Sequence, residues 1–171
     1  MKSKKLIVVI AVLALSILIL GYMNMKSIDP KANEEGSITF VAGEKSVKLT
    51  FDEITSLSHM EFRTTEDTSK SGPTPRKYKG VLLKDVLNEA SINDEMIANS
   101  SKIIVTGLDG YVIALAKDEV LSNNNVYLAF EKDGKPLGTM KKGGSGPFQM
   151  IATSDSFSQR WCKYVIEVSL E

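Results

Sequence analysis

The chain has 171 residues, 43% of them hydrophobic and 25% charged, with five prolines and one cysteine, a composition that excludes a disordered tail, a collagen and a disulfide scaffold. Charge balances at 21 basic against 21 acidic residues, but Lys2, Lys4 and Lys5 precede an apolar run that every acidic residue follows. Taking those three lysines from 21 leaves 18 basic against 21 acidic residues, a formal charge of −3, and such a domain has no global field to gather a phosphate backbone, which argues against nucleic acid as a partner.

Leu6 to Leu20 is aliphatic sequence broken mainly by Ser16, and as a helix continued through Met23 it spans about 27 Å, enough to cross a bilayer. No small-x-small cleavage site follows in Leu20, Gly21, Tyr22, Met23 and Asn24, and no cysteine follows for lipid attachment. The reading is an uncleaved anchor at residues 1–25, with a removed signal segment and secretion as the alternative. Three lysines before the run, and the mixed flank Lys26, Asp29 and Lys31 after it, orient the amino terminus to the cytoplasm. The expected location is the cell membrane, single-pass, with the folded part on the extracytoplasmic side. Residues 26–36 read as a tether and 37–171 as one domain of roughly 135 residues, large enough to hold a core without disulfide or metal.

Within that domain, Ile38 to Val41 and Val47 to Leu49 form a predicted hairpin around Ala42, Gly43, Glu44 and Lys45. Thr50 with Glu53 three residues on is a capping-box signature for a short helix through Leu57. Met60 to Thr64 reads as a strand, and Glu66 to Lys79, with Gly72, Pro73 and Pro75, as a long loop. Leu83, Val86, Leu87 and Ala90 recur at i, i+3, i+4 and i+7, predicting a helix over Val81 to Ala90. Lys102 to Thr106 and Tyr111 to Ala116 read as strands joined by an Asp109-Gly110 turn. Val126 to Glu131 is a further strand, closed by Asp133, Gly134 and Pro136. Gly143, Gly144, Ser145, Gly146 and Pro147 predict a flexible loop into a strand at Phe148 to Ala152, and Tyr164 to Leu170 closes the domain. Many short strands with one good helix make this a β-rich α+β domain.

Catalytic machinery is hard to assemble from these residues. His59 is the lone histidine and reads as a partly exposed strand residue. Pro147 stands where a nucleophile elbow requires its last glycine, and the glycine loop has neither dinucleotide nor phosphate-loop spacing. One histidine and one remote cysteine give no zinc set, so no metal ligands are assigned.

Spaced blocks carry more than single residues. Tyr78, Lys79, Gly80, Val81, Leu82, Leu83, Lys84, Asp85, Val86, Leu87 resembles the Y-x-G-V-P-L-x-D-L-L segment of the molybdopterin-binding domain of sulfite-oxidase-like oxidoreductases. In the family's order there follow Asp109-Gly110-Tyr111, then Leu128-Ala129-Phe130 with Gly134-Lys135-Pro136-Leu137, then Gly144 through Ile151, similar to G-G-P-L-R-L-V, and then Trp161 and Lys163. The resemblance covers about residues 78 to 170 and implies the sulfite-oxidase-type fold and, in an intact member, molybdopterin as cofactor of a redox enzyme. It also implies a metal-binding cysteine before the G-V-P-L segment, but His59 to Tyr78 contains none, and Gln149 stands where arginine is usual. Cys162 is read as a small half-buried hydrophobe.

The expectation is therefore a module that binds a ligand or protein with no cofactor and no catalytic residue; the alternative is a molybdopterin-binding redox protein. Candidate ligand contacts are the backbone N–H groups of Gly143, Gly144, Ser145 and Gly146 as an anion nest, with Gln149, Arg160 and Lys163 nearby and Asp109 and Tyr111, read chiefly as turn and core, at its edge. Expected partners are the membrane, through the amino-terminal helix, and a small anionic ligand or an envelope protein.

Overall fold

The computed structural model describes residues 13–16, 36–68 and 72–171. By contact the chain divides into two units, Met1–Ala32 and Asn33–Glu171. The expected anchor lies outside the described residues except for 13–16, which are helical. Among the described residues no helix is long and apolar enough to cross a membrane.

Asn33–Glu171 carries two sheets. The first hairpin, β1 (Ile38–Ala42) and β2 (Lys45–Leu49), is present as expected and turns at Gly43 with φ +60°. Helix α1 (Phe51–Ser56) starts at the expected capping box: the Glu53 backbone N–H donates to Thr50 Oγ1, and the Thr50 N–H donates to Glu53 Oε2 at 2.7 Å. β3 (His59–Thr68) and β4 (Gly72–Leu82) follow, then α2 (Leu83–Glu89), α3 (Asp94–Asn99), β5 (Ile103–Gly107), β6 (Val112–Leu115) and α4 (Lys117–Leu121). The carboxyl-terminal part adds β7 (Val126–Lys132), β8 (Lys135–Pro136), β9 (Gln149–Ala152), β10 (Cys162–Lys163) and β11 (Val165–Leu170). One sheet runs β2-β1-β11-β5-β6, with β1 and β11 parallel; the other runs β10-β9-β7-β4-β3, with β8 on β7.

One apolar cluster joins the two sheets and all four helices. Ile38 and Phe40 of β1, Val105 of β5, Leu128 of β7 and Met150 of β9 meet in it, with Leu83, Val86, Leu87 and Ala90, the four residues of the predicted stripe. Each such side chain contributes about 1.5–3 kcal/mol by leaving water. The helix begins at Leu83 rather than Val81, because Val81 and Leu82 pair with Leu128 and Tyr127 as the end of β4. The opposite face of the second sheet carries a smaller cluster of Tyr78, Ala129, Leu137, Ile151 and Trp161, with Phe62 stacked on Tyr127 at 4.1 Å between ring centroids.

The segment expected as a loop from Glu66 to Lys79 is a two-stranded ribbon, paired in register from His59↔Val81 to Thr68↔Gly72. Its prolines fit because of strand alternation. Lys77, two residues from Pro75, turns its N–H away from β3 to Asp133 Oδ1 at 3.1 Å, and Pro73 and Pro75 share that outward edge, where a missing donor breaks no ladder bond. A charged side-chain knot braces the ribbon on β7. Buried Glu66 lies 3.3 Å from Lys132 Nζ and 3.5 Å from Arg76 Nε, and Arg76 also reaches Asp133 at 3.0 Å. Burial, and then the Glu66 carboxylate, pushes the Tyr78 phenol up.

Glu66→Ala leaves Arg76 and Lys132 facing each other over a void without their shared anion. The expected loss is about 1–3 kcal/mol, because both cations are about a third exposed and Arg76 keeps Asp133, measured as a fall in the urea midpoint at unchanged m-value; a loss under about 1 kcal/mol overturns this role for the knot.

Candidate functional site

The glycine-rich segment between β8 and β9 is tied down residue by residue rather than flexible. Thr139 leads into a single 3-10 turn at Met140–Lys142, which ends on Gly143 with φ +70°. Gly143 N–H then donates to Met140 O, Gly144 to Thr139 O, Ser145 to Leu137 O and Gly146 to Gly138 O, at 2.9–3.0 Å. A Cβ on Gly144 would stand 2.3 Å from Leu137 O, so the close approach of two backbones is what requires glycine there. All four N–H groups expected to form an anion nest are used inside the loop, and the nest is not formed.

Tyr164 locks the same loop to the rest of the domain. It is one of four non-glycine residues with positive φ among those described, at +54°, and both its backbone N–H and its carbonyl are paired. Tyr164 N–H donates to Ser145 O at 3.1 Å, Leu108 N–H to Tyr164 O at 2.9 Å, Val165 N–H to Phe148 O at 3.1 Å, and the Tyr164 hydroxyl donates to Gly144 O. The β5–β6 turn closes on this corner. Asp109 Oδ1 accepts the Tyr111 N–H at 3.1 Å, and a Cβ on Gly107 would lie 2.6 Å from Lys163 O, 2.7 Å from Asp109 Oδ1 and 3.2 Å from Cys162 Sγ. Cys162 is fully rather than half buried. Burial, assisted by the Asp109 carboxylate, pushes its thiol up to about 12.

Of the nine residues singled out from the sequence, Asp109, Gly144, Ser145 and Lys163 therefore gather at one end of the domain. Gln149 joins them as the cross-strand neighbour of Lys163. It is buried, and its Oε1 has no hydrogen-bond partner. Tyr111 is not core: the side chain is 45% exposed, and its hydroxyl donates to Gln159 O at 2.6 Å. Arg160 is directed elsewhere. Its guanidinium grips Glu119 of α4 through two bonds, at 2.6 and 3.1 Å, and also binds Asp155. The Arg160 guanidinium holds the Glu119 carboxyl below the usual carboxylate range, and the fork geometry makes this a fixed clamp of α4 onto the segment before β10.

Two features had no signal in the sequence. The Glu66 knot depends on the ribbon that Pro and Gly disguised as a loop. The second is a cavity of about 650 Å³ whose walls include Lys48, Phe51, Asp52, Thr139 and Pro147, drawn from the first hairpin and the glycine segment, which no local pattern relates. His59 is an exposed strand residue as expected, edge-on to Phe130 with ring centroids 5.8 Å apart. Among the described residues no three His, Cys, Asp or Glu side chains stand together in a way that holds a metal ion.

No curated protein matches this chain in sequence. Among solved structures, the crystal structure of the sulfane dehydrogenase SoxCD from Paracoccus pantotrophus matches with a TM-score of 0.64 and 16% identity, over 79% of this chain and 38% of that one. At that identity the likeness shows the fold, and this chain spans about two fifths of its neighbour's length. The family model of the oxidoreductase molybdopterin binding domain matches residues 37–171, and with the sulfite-oxidase-type arrangement of sheets already in place, the chain belongs to that family.

Proposed function

We propose that this domain is a binding module on the molybdopterin-binding scaffold that holds no metal through a protein thiolate, anchored in the membrane by residues 1–25 with its folded part outside the cytoplasm. The observation that carries the reading is the placement of Cys162, the one cysteine in the chain. A thiolate ligand must be ionised and reachable. The Cys162 side chain is buried, its Sγ lies 3.6 Å from Lys163 O and 3.8 Å from Tyr111 O, and Asp109 adds a negative field. Arg160 is engaged in its carboxylate clamp and the four loop N–H groups on carbonyls, which leaves Lys163 as the exposed cation of the set. The residues present therefore do not fit a thiolate-held molybdenum centre, and no catalytic step is assigned. With those amides in use, an envelope protein is favoured over a small anion as the partner.

Family membership favours a second reading, a redox protein that binds molybdopterin through contacts other than a thiolate. Full-length protein purified from a host that makes the cofactor separates the two. The first reading expects molybdenum and oxidised-pterin fluorescence well below one equivalent; stoichiometric amounts of both establish the second.

The thiol has its own test. The folded state keeps a proton that an ordinary cysteine releases near 9.0, so stability is full below that pH and declines as pH rises from about 9 toward about 12. Chemical denaturation across that window is expected to show a shallower decline in Cys162→Ala than in the parent. Rapid modification of the native thiol at pH 8 contradicts the buried, protonated state.

Orientation is checked by adding protease to intact cells. The domain is expected to be degraded while a cytoplasmic control survives, and full protection of the domain overturns the proposed topology.

A further inference from the structure

The cavity of about 650 Å³ lies within the size range of small-molecule sites, and its floor and rim differ in character. Phe51 and Pro147 supply its apolar lining. Phe51 packs against Phe148 with ring centroids 5.1 Å apart, and Pro147 lies beside it, so closely that a Cβ on Gly36 would stand 3.1 Å from Pro147 Cγ and 3.3 Å from Phe51 Cβ.

The rim carries two charges of opposite sign, Lys48 at the end of β2 and Asp52 in the first turn of α1, both exposed. Their neighbours of like charge are engaged. Lys45 donates to Ser91 O at 2.7 Å, and Glu53 closes the capping box with Thr50. Neither Lys48 nor Asp52 forms an ion pair with a described residue or with the other. A cation and an anion in the lining of one cavity, beside the apolar Phe51 and Pro147, complement a molecule that carries the reverse charges on an apolar body. Thr139 also lines the cavity.

We propose that this cavity binds a small zwitterion, an amino acid or short peptide with a free ammonium and a free carboxylate, the carboxylate toward Lys48 and the ammonium toward Asp52. The site is separate from Cys162 and Arg160, so it stands whether or not the family's cofactor binds.

Exposed ion pairs contribute little each, about 0.2–1 kcal/mol, so losing one is expected to weaken binding by at most about fivefold and the affinity is millimolar in class. The test uses the full-length chain in detergent, titrated with alanylalanine and followed by amide chemical shifts. N-acetylalanine, which keeps only the carboxylate, and alaninamide, which keeps only the ammonium, serve as single-charge probes. Saturable shifts at Lys48, Phe51 and Asp52 are expected, with alanylalanine binding two- to fivefold more tightly than either probe. Lys48→Gln is expected to abolish the advantage of alanylalanine over alaninamide, and Asp52→Asn its advantage over N-acetylalanine. Absence of saturable shifts, equal binding of all three compounds, or advantages that survive both substitutions each overturns the proposal. Because both side chains are exposed and unpaired, the variants are expected to retain the parental urea midpoint, which separates loss of binding from loss of fold.

Discussion

Between β10 and β11 the chain passes from one sheet to the other at a single residue. Lys163 still belongs to β10, Val165 already belongs to β11, and Tyr164 between them takes φ +54°, a conformation that costs a non-glycine residue about 1–2 kcal/mol. The cost is tolerated because the corner is over-determined: Ser145, Leu108, Phe148 and Gly144 all hydrogen-bond across it. Both sheets contribute to one apolar core, and this seam holds β10 and β11 on either side of it.

The same seam explains why the glycine segment offers so little to a ligand. Its carbonyls receive Tyr164 and its N–H groups turn back onto Leu137–Met140, so the segment acts as an internal splice between sheets. The buried thiol is part of this arrangement. Gly107 and Cys162 pack in contact beneath the β5–β6 turn, and a larger or charged group in either place would have to displace the Lys163 and Asp109 oxygens beside them. Structural tightness and the burial of the thiol thus have one origin.

What was readable in the sequence was whatever local chemistry decides. The Thr50–Glu53 box, the Gly43 turn and the Leu83–Ala90 stripe each lie within eight residues of chain, and each is present. The block order named the family, because turns and core residues at set spacings survive where site residues change. The ribbon was misread because Pro73 and Pro75 signal a loop unless the free edge of their strand is known. α3 and α4, six and five residues long, are too short to show a helical period. At the candidate site, Arg160 stands near the last strand in sequence, yet its partner Glu119 lies 41 residues away. The cation over carboxylates and the tyrosine at a sheet corner are products of tertiary folding, and no window of sequence contains both halves of either.

The β3–β4 ribbon is held at two places. Both lie toward its tip: Glu66, through Lys132 and Arg76, ties it to β7 and the turn that follows, and the next residue, Asp67, exchanges hydrogen bonds with Ser158, its N–H donating to Ser158 Oγ at 2.9 Å and its carbonyl accepting from the same hydroxyl. Ser158 is two residues from Arg160 and three from Trp161. Mechanically the ribbon is a beam with a second support, and a load applied at its outer end bears on the short span that carries both the guanidinium clamp and the buried indole.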